Sequence, residues 1–513
     1  MKLLVLELVV CCLIAWSSPT NSISVLLLNG MFPGHLFPLV SLGEELVSRG
    51  HTVSLCSTVL EGSSLLPSLP ESVGVSFISA GYDMFSWSQY IETMKGMQHL
   101  SNFSLMNDVI LSNEKAAIKI RKKLQSIGIE QFDIIVCDFS ILPIGLYHAV
   151  LGWKVIVFSS FLPPFPAIRP SWPYPITFMG GQPEDMGFGG RMWSAVGTPL
   201  LLKRLAKLFK GAIEQDKEFS KVLSDVNLVG YPGVFVPHIV TSVIGIEAPT
   251  LLSPLRHYVG PVLRSSQSPL NDSLLDWLNR KQERSVLYIS MGTTGDMSRS
   301  RAEMIVNAVL GTQYDAVWAL RRDSMWTLDG LDIDSDRVII RNWVSQQSLL
   351  QHRAIKACIV HCGLNSVQES LYNSLPVICL PSVFDQFQIG SAIEEREVGV
   401  SMYSFMDTVW GTNNFTLEDL VNAIRRITSN KYVANAQRLS KIYKFAGGAR
   451  VAADLVEHYE DVGYDHLIPA FAKYRWSWVK YHNADVYALM LCVLTVFLWG
   501  CFKCCLCLGR CIQ

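Results

Sequence analysis

The stretch CIVHCGLNSVQESLYNSLPVICLPSVFDQ, residues 358–386, holds more polar chemistry than a packed strand and helix require. Its apolar run ends at His361, and past Gly363 a helix opens near Asn365 and Ser366. Asn and Ser are ordinary helix caps, and Gly363 also fits a plain turn. The first turn of a helix, however, presents unpaired N–H groups and the positive end of its dipole. Gly363 lets a ligand approach the backbone, and His361 and Ser366 add donors, so the arrangement suits a diphosphate. Glu369 lies one turn beyond Ser366, where a carboxylate can take the two hydroxyls of a ribose. Upstream, Trp343 at the end of RVIIRNW offers a flat face for a base, and Gln346 offers an amide for its edge. Downstream, Asp385 and Gln386 close PVICLPSVFDQ with groups fit for sugar hydroxyls. Singly, each has a packing explanation; in this order, packing explains them poorly.

Such residues need strands to carry them. ISVLLLN, the loop GMFPGH, helical LFPLVSLGEELVSRG and HTVSLCS form a first βαβ unit, and FDIIVCD and KVIVFSS continue it. These runs are short and almost wholly apolar, as parallel strands buried on both faces are. A second series, VLYISMG, DAVWALR, RVIIRNW, ACIVHCG and PVICLPS, follows a polar stretch. Two doubly wound α/β domains are expected, residues 23–262 and 281–480, with a Pro/Ser/Asn-rich linker at 263–280. Three terminal helices are expected to close the second. Ligands of such sheets sit beyond the carboxyl ends of the strands. There stand His35, after strand one, Asp138, after FDIIVCD, and His361.

WVSQQSLLQH, ACIVHCGLNSVQES and SLPVICLPSVFDQ together resemble the donor-binding signature of the UDP-glycosyltransferases. MFPGHLFPLVSLGEELVSRGHTV resembles that family's amino-terminal loop and helix, and YVGPV and SVLYISMGT the pieces flanking its linker. The resemblance covers nearly the whole chain, most closely in the animal, glucuronosyltransferase-like branch. It implies a GT-B type fold, two Rossmann-like domains facing a cleft. By matching position it assigns Trp343 and Gln346 to uracil, and His361, Gly363, Asn365 and Ser366, with Thr293 or Thr294, to the diphosphate. Glu369 goes to the ribose, Asp385 and Gln386 to the transferred sugar, and His35 and Asp138 to the catalytic base and its partner. It implies an inverting transfer to the hydroxyl of a small lipophilic acceptor, with no cofactor and no metal. A binding or partner protein of the same fold, weak in turnover, is the alternative. Three positions depart from the pattern. Ser345 and Ser374 replace turn residues, and Ile389 replaces a polar residue, which is expected to remove a polar group near the sugar.

The rest of the chain sets the setting. Its 513 residues carry a net charge of −1, which gives no reason to expect nucleic acid. Residues 1–22 have the layout of a signal peptide, and 486–502 that of a minimal transmembrane helix ahead of a tail, 503–513. A single-pass protein of the secretory pathway with a luminal body is expected, and the resemblance adds the endoplasmic reticulum. Self-association is left open. Sequons at Asn102, Asn271 and Asn414 fit luminal glycosylation. The remaining body cysteines, Cys56, Cys137, Cys358, Cys362 and Cys379, lie in apolar runs and read as small hydrophobes, with no disulfide framework. Cys358, His361 and Cys362 would alternate across a strand, which argues against zinc. DIDSD, residues 332–336, reads as a solvated turn. The Pro- and aromatic-rich segment 159–181 reads as an acceptor-pocket wall, a membrane-contacting flap or a surface loop.

Overall fold

The computed structural model describes residues 22–30, 33–58, 74–81, 103–160, 207, 214, 216–223, 235–247, 253–264, 268–292, 297–382, 385–404, 407, 414–468 and 483–511. The expected signal peptide, Thr293, Thr294, Asn102 and segment 161–181 lie outside them.

Apolar runs become strands in the order the sequence suggests. The first lobe holds β1 (Ser24–Asn29), α1 (Pro33–Ser48), β2 (Thr52–Ser57), β3 (Val75–Ser79) and α2 (Phe103–Ile127). It continues with β4 (Ile134–Asp138), α3 (Leu142–Val150), β5 (Val155–Ser159), α4 (Lys217–Leu223), β6 (His238–Val240) and β7 (Arg256–Tyr258). All seven strands run parallel, in the order β3-β2-β1-β4-β5-β6-β7.

The second lobe begins with α5 (Asp272–Asn279), β8 (Val286–Ser290), α6 (Arg299–Leu310), β9 (Asp315–Ala319) and β10 (Val338–Arg341). Next come α7 (Gln346–Leu350), β11 (Ile355–Val360), α8 (Leu364–Tyr372), β12 (Val377–Cys379), α9 (Gln386–Glu395) and β13 (Gly399–Ser401). Helices α10 (Leu417–Ile427), α11 (Asn430–Ala446) and α12 (Ala449–Asp461) end it. Its sheet has the order β10-β9-β8-β11-β12-β13, again parallel. Strand alternation divides its core: Val286, Tyr288, Cys358 and Val360 pack on one face, and Leu287, Ile289, Ala357 and Ile359 on the other. Helix α5, inside the expected linker, buries Leu274, Trp277 and Leu278 in the first of these cores.

Helix α12 packs on the first lobe, against α1. Ala452 and Ala453 are fully buried. Around them Arg49 pairs with Asp454 at 2.7 Å and Glu457 at 2.9 Å, His51 with Glu457 at 2.8 Å, and Lys154 with Glu460 at 2.8 Å. Apart from buried His51 these groups are partly exposed, and surface pairs are worth about 0–1 kcal/mol each, so their service is register more than stability. They fix α1, whose first turn carries His35.

Helix α8 ends in a Schellman arrangement. Leu375 N–H bonds to Ser370 C=O and Ser374 N–H to Leu371 C=O, both at 3.0 Å. The residue after the cap, Ser374, sits at φ 61°, where glycine is at ease and serine is not. Ser374→Gly is expected to stabilise the protein by about 0.5–1 kcal/mol, after allowing for glycine's freer unfolded chain. A raised denaturant midpoint at unchanged m would show it; an unchanged or lowered midpoint would refute it.

The carboxyl-terminal unit contains α13 (Ala484–Cys511). Its large apolar side chains, Tyr487, Leu491, Phe497 and Trp499 among them, are exposed. Among the described residues no helix is long and apolar enough to cross a membrane.

Candidate active site between the two sheets

Strand parity aims Asp138 at His35. Leu26 and Leu28 of β1 and Ile135 and Cys137 of β4 turn into the core shared with α2 and α3. Leu27, Asn29, Val136 and Asp138 therefore face the other side, where Gly43 of α1 lies against Leu27. Asp138, fully buried at the carboxyl end of β4, meets the imidazole of His35 there, Oδ1 to Nδ1 at 3.0 Å. The same Oδ1 accepts from Ser140 N–H at 2.8 Å and from the Ser140 hydroxyl. Burial alone pulls the His35 pKa down. The Asp138 charge, its hydrogen bond and the charge of Asp385 outweigh that, and the net shift is upward. With Nδ1–H directed at the carboxylate, Nε2 is the ring's basic nitrogen.

Asp385 belongs to the second lobe, as the residue before α9, so its charge acts across the gap between the sheets. A direct contact joins them too. Helix α8 begins at Leu364, one residue before the expected start. Gly363 is its N-cap, and no side chain caps it. Asn365, which would be an ordinary cap if it served only the helix, reaches the other lobe. Its Nδ2 donates to Gly34 C=O at 2.5 Å, one residue before His35. A turn later Gln368 Nε2 donates to Thr241 C=O, also in the first lobe. The helix end suited to an anion and the first turn of α1, which bears the imidazole, are thus in contact.

His361 lies between two glycines. A Cβ on Gly292 would come within 2.3 Å of the ring, and one on Gly363 within 2.5 Å. Burial, with Arg321's charge acting in the same direction, pushes its pKa down to about 4 against a backbone hydrogen bond at Ser290. The ring is neutral near pH 7, and Nδ1 is buried with no partner among the described residues. Behind α8, Tyr288 hydroxyl donates to Gln346 Oε1 at 2.8 Å, and Gln346 Nε2 donates to Glu369 Oε2 at 2.7 Å. Burial raises the Glu369 pKa to about 7, partly offset by Gln346 and Gln347.

The family model described as "UDP-glucoronosyl and UDP-glucosyl transferase" matches residues 70–513. The chain belongs to the UDP-glycosyltransferase family. Human UDP-glucuronosyltransferase 1A1 is 22% identical over 99% of this chain and 96% of that protein. Mouse 2-hydroxyacylsphingosine 1-beta-galactosyltransferase is 25% identical over 81% and 75%. A solved UDP-glucosyltransferase from Polygonum tinctorium superposes with a TM-score of 0.58 at 17% identity, over 86% of this chain and 99% of that one. Another such structure, the calicheamicin glycosyltransferase CalG4, gives 0.57 at 15% identity, over 86% and 99%. The fold is that of GT-B glycosyltransferases, and the chain is an enzyme of sugar transfer, with a UDP-sugar as donor and a second substrate as acceptor.

In this UDP-glycosyltransferase the remaining described residues expected at the site belong to the second lobe. Trp343 is 68% exposed just past β10. Ser366 is buried in the first turn of α8. Gln386 opens α9, its Oε1 accepting from Ser382 N–H at 2.7 Å. Two expectations need correction. Ile389 is fully buried and forms an apolar stripe with Ala392 and Ile393 on the core side of α9, so it takes no polar group from the sugar side. Cys362 and Cys379 are joined in a disulfide. Val360 pairs with Cys379 across β11 and β12, and Cys362, two residues past β11 with φ 65°, turns into the same core as both. The bond ties the turn that presents His361 and Gly363 to the neighbouring strand. Tyr288 and Arg321 escaped sequence reasoning. An Arg just past β9 was a readable sign; nothing marked a tyrosine inside an apolar strand.

Proposed function

We propose that this enzyme transfers a hexosyl or glucuronosyl group from a UDP-sugar to a hydroxyl of a small lipophilic acceptor, with inversion at the anomeric carbon. The observation that carries the reading is the His35–Asp138 pair, whose imidazole stands in the first turn of α1, in contact with the uncapped start of α8. His35 Nε2 takes the proton of the acceptor hydroxyl as its oxygen bonds to the anomeric carbon. The bond from that carbon to the β-phosphate oxygen breaks, and UDP leaves with the electron pair. Asp138 stabilises the imidazolium that forms. The opening N–H groups of α8, His361, Asn365 and Ser366 receive the charge on the diphosphate, and the reading asks for no metal. Thr293 or Thr294 joins them; Glu369 holds the ribose, Trp343 and Gln346 the uracil, and Asp385 and Gln386 the sugar. The body lies in the lumen of the secretory pathway, carries glycans at exposed Asn271 and Asn414, and is anchored through residues 486–502.

Transfer from radiolabelled UDP-sugars to a panel of phenols, sterols and lipids tests this, with product stereochemistry read by NMR. Activity confined to polar acceptors would defeat the lipophilic assignment, and an α-linked product from an α-linked donor would defeat inversion.

Glu369 makes donor binding depend on pH. The bound ribose favours the ionised carboxylate, which is reached only as pH rises through about 7. Affinity for a UDP-sugar is therefore highest above that value and falls by up to about tenfold per pH unit below it. Calorimetric titration at several pH values checks the slope, which Glu369→Gln should remove. A slope retained in that variant would place the titrating group elsewhere.

A further inference from the structure

The carboxylate that orients His35 is supported on one oxygen only by the contacts described so far. Oδ1 of Asp138 receives the imidazole and two donors from Ser140, whereas Oδ2 is buried with no partner among the described residues. An uncompensated oxygen on a buried carboxylate is costly, and the cost falls on the charged form that has to stabilise an imidazolium. The neighbouring strand holds the complementary group. Asn29 is fully buried at the end of β1, and its Nδ2 also lacks a partner among the described residues. Its Oδ1 lies on the β2 side, 3.3 Å from the Ser57 hydroxyl.

Register brings donor and acceptor together. Leu28 of β1 pairs with Cys137 of β4, so Asn29 and Asp138 follow a paired row by one residue each. Both face the α1 side of the sheet, by the alternation that put Leu28 and Cys137 on the other. Adjacent strands lie about 4.8 Å apart, and because the two atoms are not bonded to each other, one shared water is what spans the distance. A buried amide donor and a buried carboxylate acceptor, each unmatched, thus stand side by side behind the base.

We propose that Asn29 is a positioning residue of the His35–Asp138 pair, donating from Nδ2 to Asp138 Oδ2 across one shared water. The carboxylate is then held at both oxygens and cannot rotate away from the imidazole. Asn29 touches neither substrate. Its effect falls on the chemical step and leaves donor binding, the work of the other lobe, intact.

The inference rests on His35 being the base. Asn29→Leu, close in size and without a donor, is expected to lower kcat by about 10- to 100-fold, the worth of one hydrogen bond to a charged group. KM for the UDP-sugar stays within about twofold, because the donor is held by the second lobe. Asn29→Ser keeps a donor with room for water and is expected to retain most of the rate; it also serves if the leucine variant folds poorly. In an Asp138→Asn background, Asn29→Leu should cost nothing further, since the two act as one unit. Full kcat in Asn29→Leu, equal loss in Leu and Ser variants, or an additive cycle would overturn the inference. If His35→Ala transferred as fast as wild type, the assignment of the base would fail instead. A crystal structure decides independently of turnover. One water bonded to both Nδ2 and Oδ2 is expected; separate partners for the two atoms would end the proposal.

Discussion

His35→Ala lowers kcat by about 10²–10⁴-fold while leaving UDP-sugar affinity within about twofold of wild type, the signature of a lost general base. The separation follows from where the groups sit. His35 and Asp138 belong to the first lobe, and the groups proposed to hold the donor belong to the second. The pH profile supplies a second reading. Only the neutral ring accepts a proton, and Asp138 and Asp385 hold its pKa above the usual value of roughly 6.5 despite burial. Activity should therefore rise with pH along an acid limb centred above that value. Asp138→Asn removes the largest opposing charge and leaves burial in control, so the limb should move to lower pH as the maximal rate falls. Steady-state kinetics with UDP-sugar saturation curves would measure both. Undiminished kcat in His35→Ala would place the base elsewhere, and a wild type that binds UDP-sugar without any transfer would leave a binding protein of this fold.

What the sequence made legible was what local patterning controls. VLLLN, IIVCD and CIVHC are apolar throughout because their strands are covered on both faces, and each one's polar terminus marked the sheet edge where ligands bind. The short strands escaped: β3 is largely half-exposed, and β6, β7 and β13 have three residues each, too few to show a period. Helix α5 was readable and passed over, since Leu274, Trp277 and Leu278 form an i, i+3, i+4 stripe inside a polar setting. Other features depend on partners far along the chain. Arg49 meets Asp454 only after the whole second lobe has folded, and Asn365 finds Gly34 across 331 residues. The disulfide fell between. Strand order makes β11 and β12 neighbours, and the left-handed turn at Cys362, which no strand pattern reveals, brings its thiol to Cys379.

The residue types of the donor site were therefore easier to read than the glycines that shape it, and Gly363 tests that most severely. Its backbone, at φ −64° and ψ 138°, suits any residue, so alanine there brings no backbone strain. The new methyl group, however, would lie 2.5 Å from His361 Nε2 and 2.9 Å from Cε1. The ring cannot retreat toward Gly292, where a Cβ would stand 2.3 Å from it, and the Cys362–Cys379 bond restrains the turn between. Either the imidazole leaves its position or the start of α8 tilts, and both spoil the cradle for the diphosphate. Removing one preorganised donor of developing charge costs about 10²–10³ in kcat. Gly363→Ala is expected to lose that much and also to weaken UDP binding, measured by calorimetry. Folding stability should fall by only about 1 kcal/mol, the usual difference between alanine and glycine at an N-cap. Gly292→Ala would be a poorer probe, since φ 66° there adds backbone strain to the clash. The decisive control is the double variant. If the clash with the ring is the cause, His361→Ala combined with Gly363→Ala should be no worse than His361→Ala alone, because the obstructed group is gone. Wild-type UDP affinity in Gly363→Ala, or losses that simply add in the double variant, would show that the glycine serves the turn and not the anion.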